Sequence, residues 1–204
     1  INGDFSAGNT GFSSGYSFVS GPGSLVPTGV YALSADPHNE HSGAASFHDH
    51  TTGTGYMLAM NGASTPIDVW CQTISVVPNT WYDFSAWFAN WSSDTATNLP
   101  IIQFEINGVL LSTAFTFPHP DGLWTPYATT WYSGTATTAS ICINDQQTAN
   151  FGNDFAIDDI SFRQLCTATD STYVMIAAPD SSYHAHDTSV CNSAGAVTLT
   201  AGSG

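Results

Sequence analysis

The strongest constraint on this chain is a rhythm of short apolar runs that never takes on helical spacing. Runs of five to nine residues rich in Val, Ile, Phe, Trp, Tyr and Thr recur along it, broken by Gly, Pro, Asn and Asp. That pattern reads as β-strands separated by turns. Strands are expected over residues 55–60, 69–76, 81–89, 101–106, 109–112, 125–131, 139–144 and 155–162. Asn107-Gly108 between two apolar runs supplies the two positive φ values of a type I′ hairpin. Residues 77–80, Val-Pro-Asn-Thr, turn between the second and third runs. With no crossover helices, such strands predict an all-β antiparallel sandwich.

Composition narrows the function classes. The 204 residues carry 16 carboxylates and one basic side chain, Arg163, for a formal charge of −15. Nucleic acid and anionic membrane surfaces are excluded as partners, because each needs several Lys or Arg. No run of about 18 apolar residues is present to span a bilayer. Six Trp, eight Tyr and twelve Phe demand burial, so the chain is expected to build a real core. Catalysis is not expected. Gly11-Phe12-Ser13-Ser14-Gly15 matches a nucleophile-elbow pattern but lacks the strand before it and the helix after it. Only two Glu occur, Glu40 and Glu105, and nothing pairs them for glycoside hydrolysis.

Four cysteines, Cys71, Cys142, Cys166 and Cys191, are too widely spaced for a Cys-x-x-Cys metal site. Of the three connectivities, Cys71–Cys142 with Cys166–Cys191 is preferred, and four buried free thiols are the alternative. Disulfides would place the protein outside the cytosol, in an extracellular or cell-surface setting. The start at Ile1, with no basic or apolar leader, reads as a processed or trimmed chain. Ser and Thr together number 49, and Asn90-Trp91-Ser92 is an N-glycosylation acceptor pattern. Asp94-Thr95-Ala96 and Asp170-Ser171-Thr172 resemble the O-glycosylation motif of Bacteroidota, with Thr95 and Ser171 as acceptors. The histidines of residues 38–50 read mainly as polar surface, although His48 and His50 would share a face of an extended strand.

The opening Asn2-Gly3-Asp4-Phe5 and the run at 152–162, Gly-Asn-Asp-Phe-Ala-Ile-Asp-Asp-Ile-Ser-Phe, resemble the first and last strands of galactose-binding-like jelly rolls. That fold is shared by several carbohydrate-binding-module families. The stretch 49–58 is similar to a version found in secreted surface proteins of Bacteroidota. The resemblance covers about residues 1–165 and implies a jelly-roll sandwich. It also implies a structural calcium near the joined first and last strands, with Asp4, Asp49, Asp158 and Asp159 as candidate ligands. Adjacent in a strand, Asp158 and Asp159 should point to opposite faces, leaving one for the ion. For sugar binding, Trp91 and Trp124 are the expected platforms, while Trp87, inside a strand, is assigned to the core.

After Cys166 the composition changes. Residues 166–204 form an expected C-terminal extension with two short strands, 172–178 and 196–201, and hold no Trp or Phe. Residues 191–202 resemble the opening strand of an Ig-like or PKD-like repeat. Two functional readings follow. The first is a non-catalytic extracellular structural protein, a surface-appendage or fibril subunit that self-associates head to tail by docking its extension. The alternative is a calcium-stabilised carbohydrate-binding module of a secreted protein, with glycans as partners.

Overall fold

The computed structural model describes residues 1–92, 98–117, 120–149 and 151–165. Among them are strands β1 (Ser17–Phe18), β2 (Val30–Ser34), β3 (Met57–Asn61), β4 (Ile67–Ser75), β5 (Trp81–Asn90), β6 (Ile101–Ile106), β7 (Val109–Thr116), β8 (Thr125–Tyr132), β9 (Thr138–Asp145) and β10 (Phe155–Gln164), with one short helix, α1 (Pro37–Glu40). They form a six-stranded sheet, β1-β2-β3-β10-β5-β8, and a four-stranded sheet, β4-β9-β6-β7. Every pairing is antiparallel except β1 with β2. This is an all-β jelly-roll sandwich, the expected fold class.

Period-2 alternation builds the core. In β5, Tyr82, Phe84, Ala86 and Phe88 are buried while Asp83, Ser85 and Trp87 alternate with them. Phe84 stacks on Phe104 of β6 at 4.0 Å between centroids, joining the two sheets. Ile102, Ile106, Ile141, Ile143, Phe155 and Ile157 fill the same layer. Three elements escape the sequence pattern: β1, β2 and α1. β2 is five residues long beyond a Gly- and Pro-rich stretch, and α1 is a single turn capped by the Asp36 carboxylate on His38 N–H. β7 also runs past the expected stop at Ser112. That residue sits at φ 54° within a register shift, after which pairing with β6 resumes.

Cys71 and Cys142 are directly paired partners of β4 and β9 and are disulfide-bonded, with Cα atoms 4.2 Å apart. Their neighbours Trp70, Ile141 and Ile143 are buried in the core, so the bond lies on the other face of the four-stranded sheet. Asp68 is close to both sulfurs, but disulfide-bonded sulfurs are not thiolate ligands. The expected extension 166–204 lies outside the described residues, with Cys166, Cys191, Ser171 and the strands 172–178 and 196–201. Thr95 does too.

The N-glycosylation expectation is corrected. Asn90, last residue of β5, is fully buried and its Oδ1 accepts the Ser92 N–H at 2.9 Å. A transferase cannot reach that amide in the folded chain.

Two stability outcomes are expected. Phe104→Ala removes the ring that joins the sheets and should cost about 3–5 kcal/mol. Replacing Cys71 and Cys142 together by Ser should cost about 2–4 kcal/mol by freeing the unfolded chain. Denaturant titration of both variants measures this.

Candidate functional site

The outer face of the six-stranded sheet is half covered. Leu25, Val30, Ala32, Ala44, Met57, Ala59, Trp91 and Ala156 form a second buried cluster there, flanked by Val19, Phe47 and Trp124. These residues come from outward positions of β2, β3 and β10 and from the loops that close over them. Trp91 is the keystone of this cover. It is 1% exposed, its Nε1 donates to Phe155 O at 2.9 Å, and His41 packs on its ring. The expectation that Trp91 is a sugar platform is therefore overturned: its indole is spent on packing. Trp124 is partly buried at the margin of the same cover, with Nε1 donating to His48 O and its ring against Phe47 and His50.

The cover ends at His50, and there β10 departs from regular pairing. Its register to β5 shifts between Asp158 and Ser161, and Asp159 takes φ 49°. That bulge overturns the expectation that Asp158 and Asp159 face opposite ways. Both carboxylates turn to residues 50–51. Asp158 Oδ2 accepts the N–H groups of His50 (2.8 Å) and Thr51 (3.1 Å), and Oδ1 accepts Asp159 N–H. Asp159 Oδ2 lies 2.6 Å from His50 Nδ1, and its Oδ1 accepts the Thr51 hydroxyl at 2.6 Å. The neighbouring Asp49 accepts from Thr52 N–H, Thr52 Oγ1 and Gly55 N–H. Burial opposes its ionisation, but these donors outweigh burial and hold its pKa below the usual value.

These residues do not fit a calcium ion. Calcium needs several oxygens with free lone pairs converging on one point. Among the described residues, Asp4, Asp49, Asp158 and Asp159 form no such group. The oxygens of Asp49 and Asp158 already accept N–H bonds, and Asp4 accepts from Ser6 N–H and Oγ. Hydrogen bonds make the tie that calcium was expected to make. Ile160 N–H donates to Gly3 O at 3.0 Å, docking the N-terminal segment on the last strand. A Cβ at Gly3 would lie 1.9 Å from Ile160 O, so only glycine allows this approach.

Beside this junction the sheet face opens into a cleft of about 440 Å³. Ile1, Gly3, Asp4, Ser85, Trp87, Asp159, Ile160, Ser161 and Arg163 line it. His50 lies flat against Trp87, with ring centroids 3.8 Å apart and planes at 18°. Arg163, the chain's one basic residue, is 3.7 Å from Asp83. Trp87 thus belongs to the outer face and not to the core where the sequence reading put it. The alternation in β5 could have shown this, since Trp87 shares its parity with Asp83 and Ser85. The structure brings Asp4 and Asp159 together in the cleft and leaves Asp49, Trp91 and Trp124 outside its lining.

No family model matches the chain, and no curated protein does. Among solved structures, the CBM22-1–CBM22-2 tandem domain of Paenibacillus barcinonensis Xyn10C is similar at 12% identity and TM-score 0.49, over 82% of this chain and 44% of that one. TmCBM61, in complex with β-1,4-galactotriose, is similar at 12% identity and TM-score 0.43, over 80% of this chain and 96% of that one. The C-terminal domain of the sugar-binding protein EclA is similar at 15% identity and TM-score 0.40, over 47% of this chain and 66% of that one. The alignment therefore spans just under two thirds of that EclA domain, and about a fifth of the bacteriophage CBA120 tailspike protein 4 structure. No helix among the described residues is long and apolar enough to cross a membrane.

The buried acids set a pH dependence. Burial raises Asp158 to about 6 and Asp145 to about 6, and raises Asp154 as well. Each folded-state pKa lies above the 3.8 of the free side chain, so the folded chain binds more protons than the unfolded one in that window. Stability should accordingly fall as pH rises from about 4 to about 6 and level off above. Thermal unfolding across pH 4.5–7 checks this, and a melting temperature that climbs over the range contradicts it.

Proposed function

We propose that this chain is a non-catalytic carbohydrate-binding module whose ligand lies in the Trp87 cleft. The observation that carries the reading is the composition of that cleft. The Trp87 indole, with one face stacked on His50, stands among the carboxylates of Asp4 and Asp159, the hydroxyls of Ser85 and Ser161 and the guanidinium of Arg163. Saccharides present an apolar C–H face and a rim of hydroxyls. They are recognised by an aromatic plane with a few fixed polar groups. Asp159 suits such a role, since its unusual backbone and its bonds to His50 and Thr51 hold its carboxylate in one place. The volume falls in the range of about 300–1,000 Å³ typical of ligand pockets.

The Cys71–Cys142 bond favours an oxidising compartment, and with it a secreted or cell-surface location. The appendage-subunit reading depends on residues 172–178 and 196–201, which lie outside the described ones, and draws no support from the cleft.

The full chain should bind one or more polysaccharides on an array of plant, microbial and animal glycans. Trp87→Ala should weaken that binding at least about tenfold, close to 1.4 kcal/mol. Arg163→Gln, at a side chain 73% exposed and remote from the core, should weaken it without altering the melting temperature. Phe151→Ala, at an exposed site outside the lining, should leave it unchanged. Binding that survives both Trp87→Ala and Arg163→Gln would remove the cleft as the site.

A further inference from the structure

The Trp87 cleft is one end of a longer open face. In β5, Trp81, Asp83, Ser85 and Trp87 alternate with the buried Tyr82, Phe84, Ala86 and Phe88, so all four point out of the sandwich. Pairing with β8 runs unbroken from Trp81↔Tyr132 to Phe88↔Thr125 and sets the exposed Pro126, Ala128, Thr130 and Tyr132 along one flank of that row. On the other flank, β10 past its bulge sets Ser161 beside Ser85 and Arg163 beside Asp83. Small side chains (Ser85, Ala128, Thr130, Ser161) keep the middle of the face low, and aromatic rings stand at both ends. At the end away from Trp87, Trp81 is 47% exposed and Tyr132 45%, with ring centroids 5.2 Å apart. Six residues of strand separate Trp81 from Trp87, a span of about 20 Å.

The two ends differ. Beyond Trp87 the next outward residue of β5 is Ala89, which is fully buried, and its β10 partner Ala156 belongs to the cluster beneath the loop cover. The face is closed there. At the other end β5 begins at Trp81, and its neighbours Tyr132 and Leu165 are both exposed. The face is open there.

We propose that this face binds the terminal stretch of a linear, uncharged polysaccharide. The end sugar enters the Trp87 cleft, and the following sugars lie along β5 to stack on Trp81 and Tyr132. The inference rests on the reading of the Trp87 cleft as a sugar site and gives that site its ligand class. Length is the first argument: platforms about 20 Å apart are too distant for one ring and suit several in line. Once the end sugar is docked, contact with the second platform is intramolecular and strengthens binding without a new association step. Between the platforms, Arg163 and Asp83 lie 3.7 Å apart and offer donors and an acceptor to the hydroxyls passing over them. Closure is the second argument, since a chain cannot continue along β5 past Trp87. Charge is the third. A chain of net charge −15, whose one guanidinium already faces Asp83, repels uronic-acid or sulfated polymers.

Calorimetry of the full chain tests this with β-1,4-linked oligosaccharides of glucose, xylose and mannose, from disaccharide to hexasaccharide. Such chains are extended, as a flat strand face requires. Polygalacturonic acid is the charged probe. At least one neutral series should bind, its hexasaccharide about tenfold or more tighter than its disaccharide. Trp81→Ala, at an exposed site, should remove that gain while leaving the disaccharide affinity and the melting temperature unchanged. Tyr132→Ala should act in the same direction. The longest soluble polymer of the series should bind one protein molecule per chain. Equal affinity for long and short chains, or a Trp81→Ala variant that binds hexasaccharide as the parent does, overturns the proposal. Where Trp87→Ala still abolishes binding in that case, the cleft stands and only its extension falls. Many protein molecules per polymer chain overturn recognition of the chain end. Tighter binding of polygalacturonic acid, or no binding of any neutral series, overturns the ligand class.

Discussion

The arrangement of the outer face depends on one irregularity in β10. Regular pairing would send Asp158 and Asp159 to opposite faces and leave the N-terminal segment without a mooring. The bulge between Asp158 and Ser161 instead turns both carboxylates toward residues 50–51 and aims Ile160 N–H at Gly3 O. The loop cover is thereby fixed on one side of the bulge and the N-terminal segment on the other. Between them the sheet face stays open as the Trp87 cleft. Two chemical features permit this: a non-glycine residue held at positive φ by its own carboxylate bonds, and a glycine at position 3 that admits backbone within contact distance.

Charge imposes the second constraint. With 16 carboxylates and one guanidinium, the chain cannot neutralise its buried acids with cations. It uses N–H and O–H donors instead. Asp158 takes backbone N–H groups, Asp154 takes Gly62 N–H and Ser92 Oγ, and Asp145 takes the Tyr16 hydroxyl at 2.8 Å and Gln147 N–H. For Asp49 such bonds outweigh desolvation, whereas for Asp145, Asp154 and Asp158 burial prevails and raises the pKa. The same scarcity of cations makes the position of Arg163 informative, because it lines the cleft.

Much of the scaffold was legible from residue order. Strands β3 to β10 follow from period-2 runs bounded by turn residues, since alternation reports directly which residues face an interior. Cys71 and Cys142 were readable as partners because both lie in such runs. The aromatic residues were less legible. Trp91 looked like a rim residue just past a strand, yet it is buried in one cluster with Leu25, Val30, Ala32 and Ala44, a contact between segments far apart in sequence. Trp87 looked like core because aromatics in strands usually are, although its parity with Asp83 and Ser85 placed it outside.

The sequence by itself determined the β periodicity, the Asn107-Gly108 turn, the disulfide-capable pair and the net acidity, because each is set by neighbouring residues or by composition alone. Only the tertiary structure decided which face of the larger sheet is covered and which is open. That outcome rests on a one-residue bulge in β10 and on contacts between residues more than a hundred positions apart, such as His50 with Asp159. Local propensity carries no record of either: a bulge reverses the facing of side chains without changing the pattern that predicts a strand.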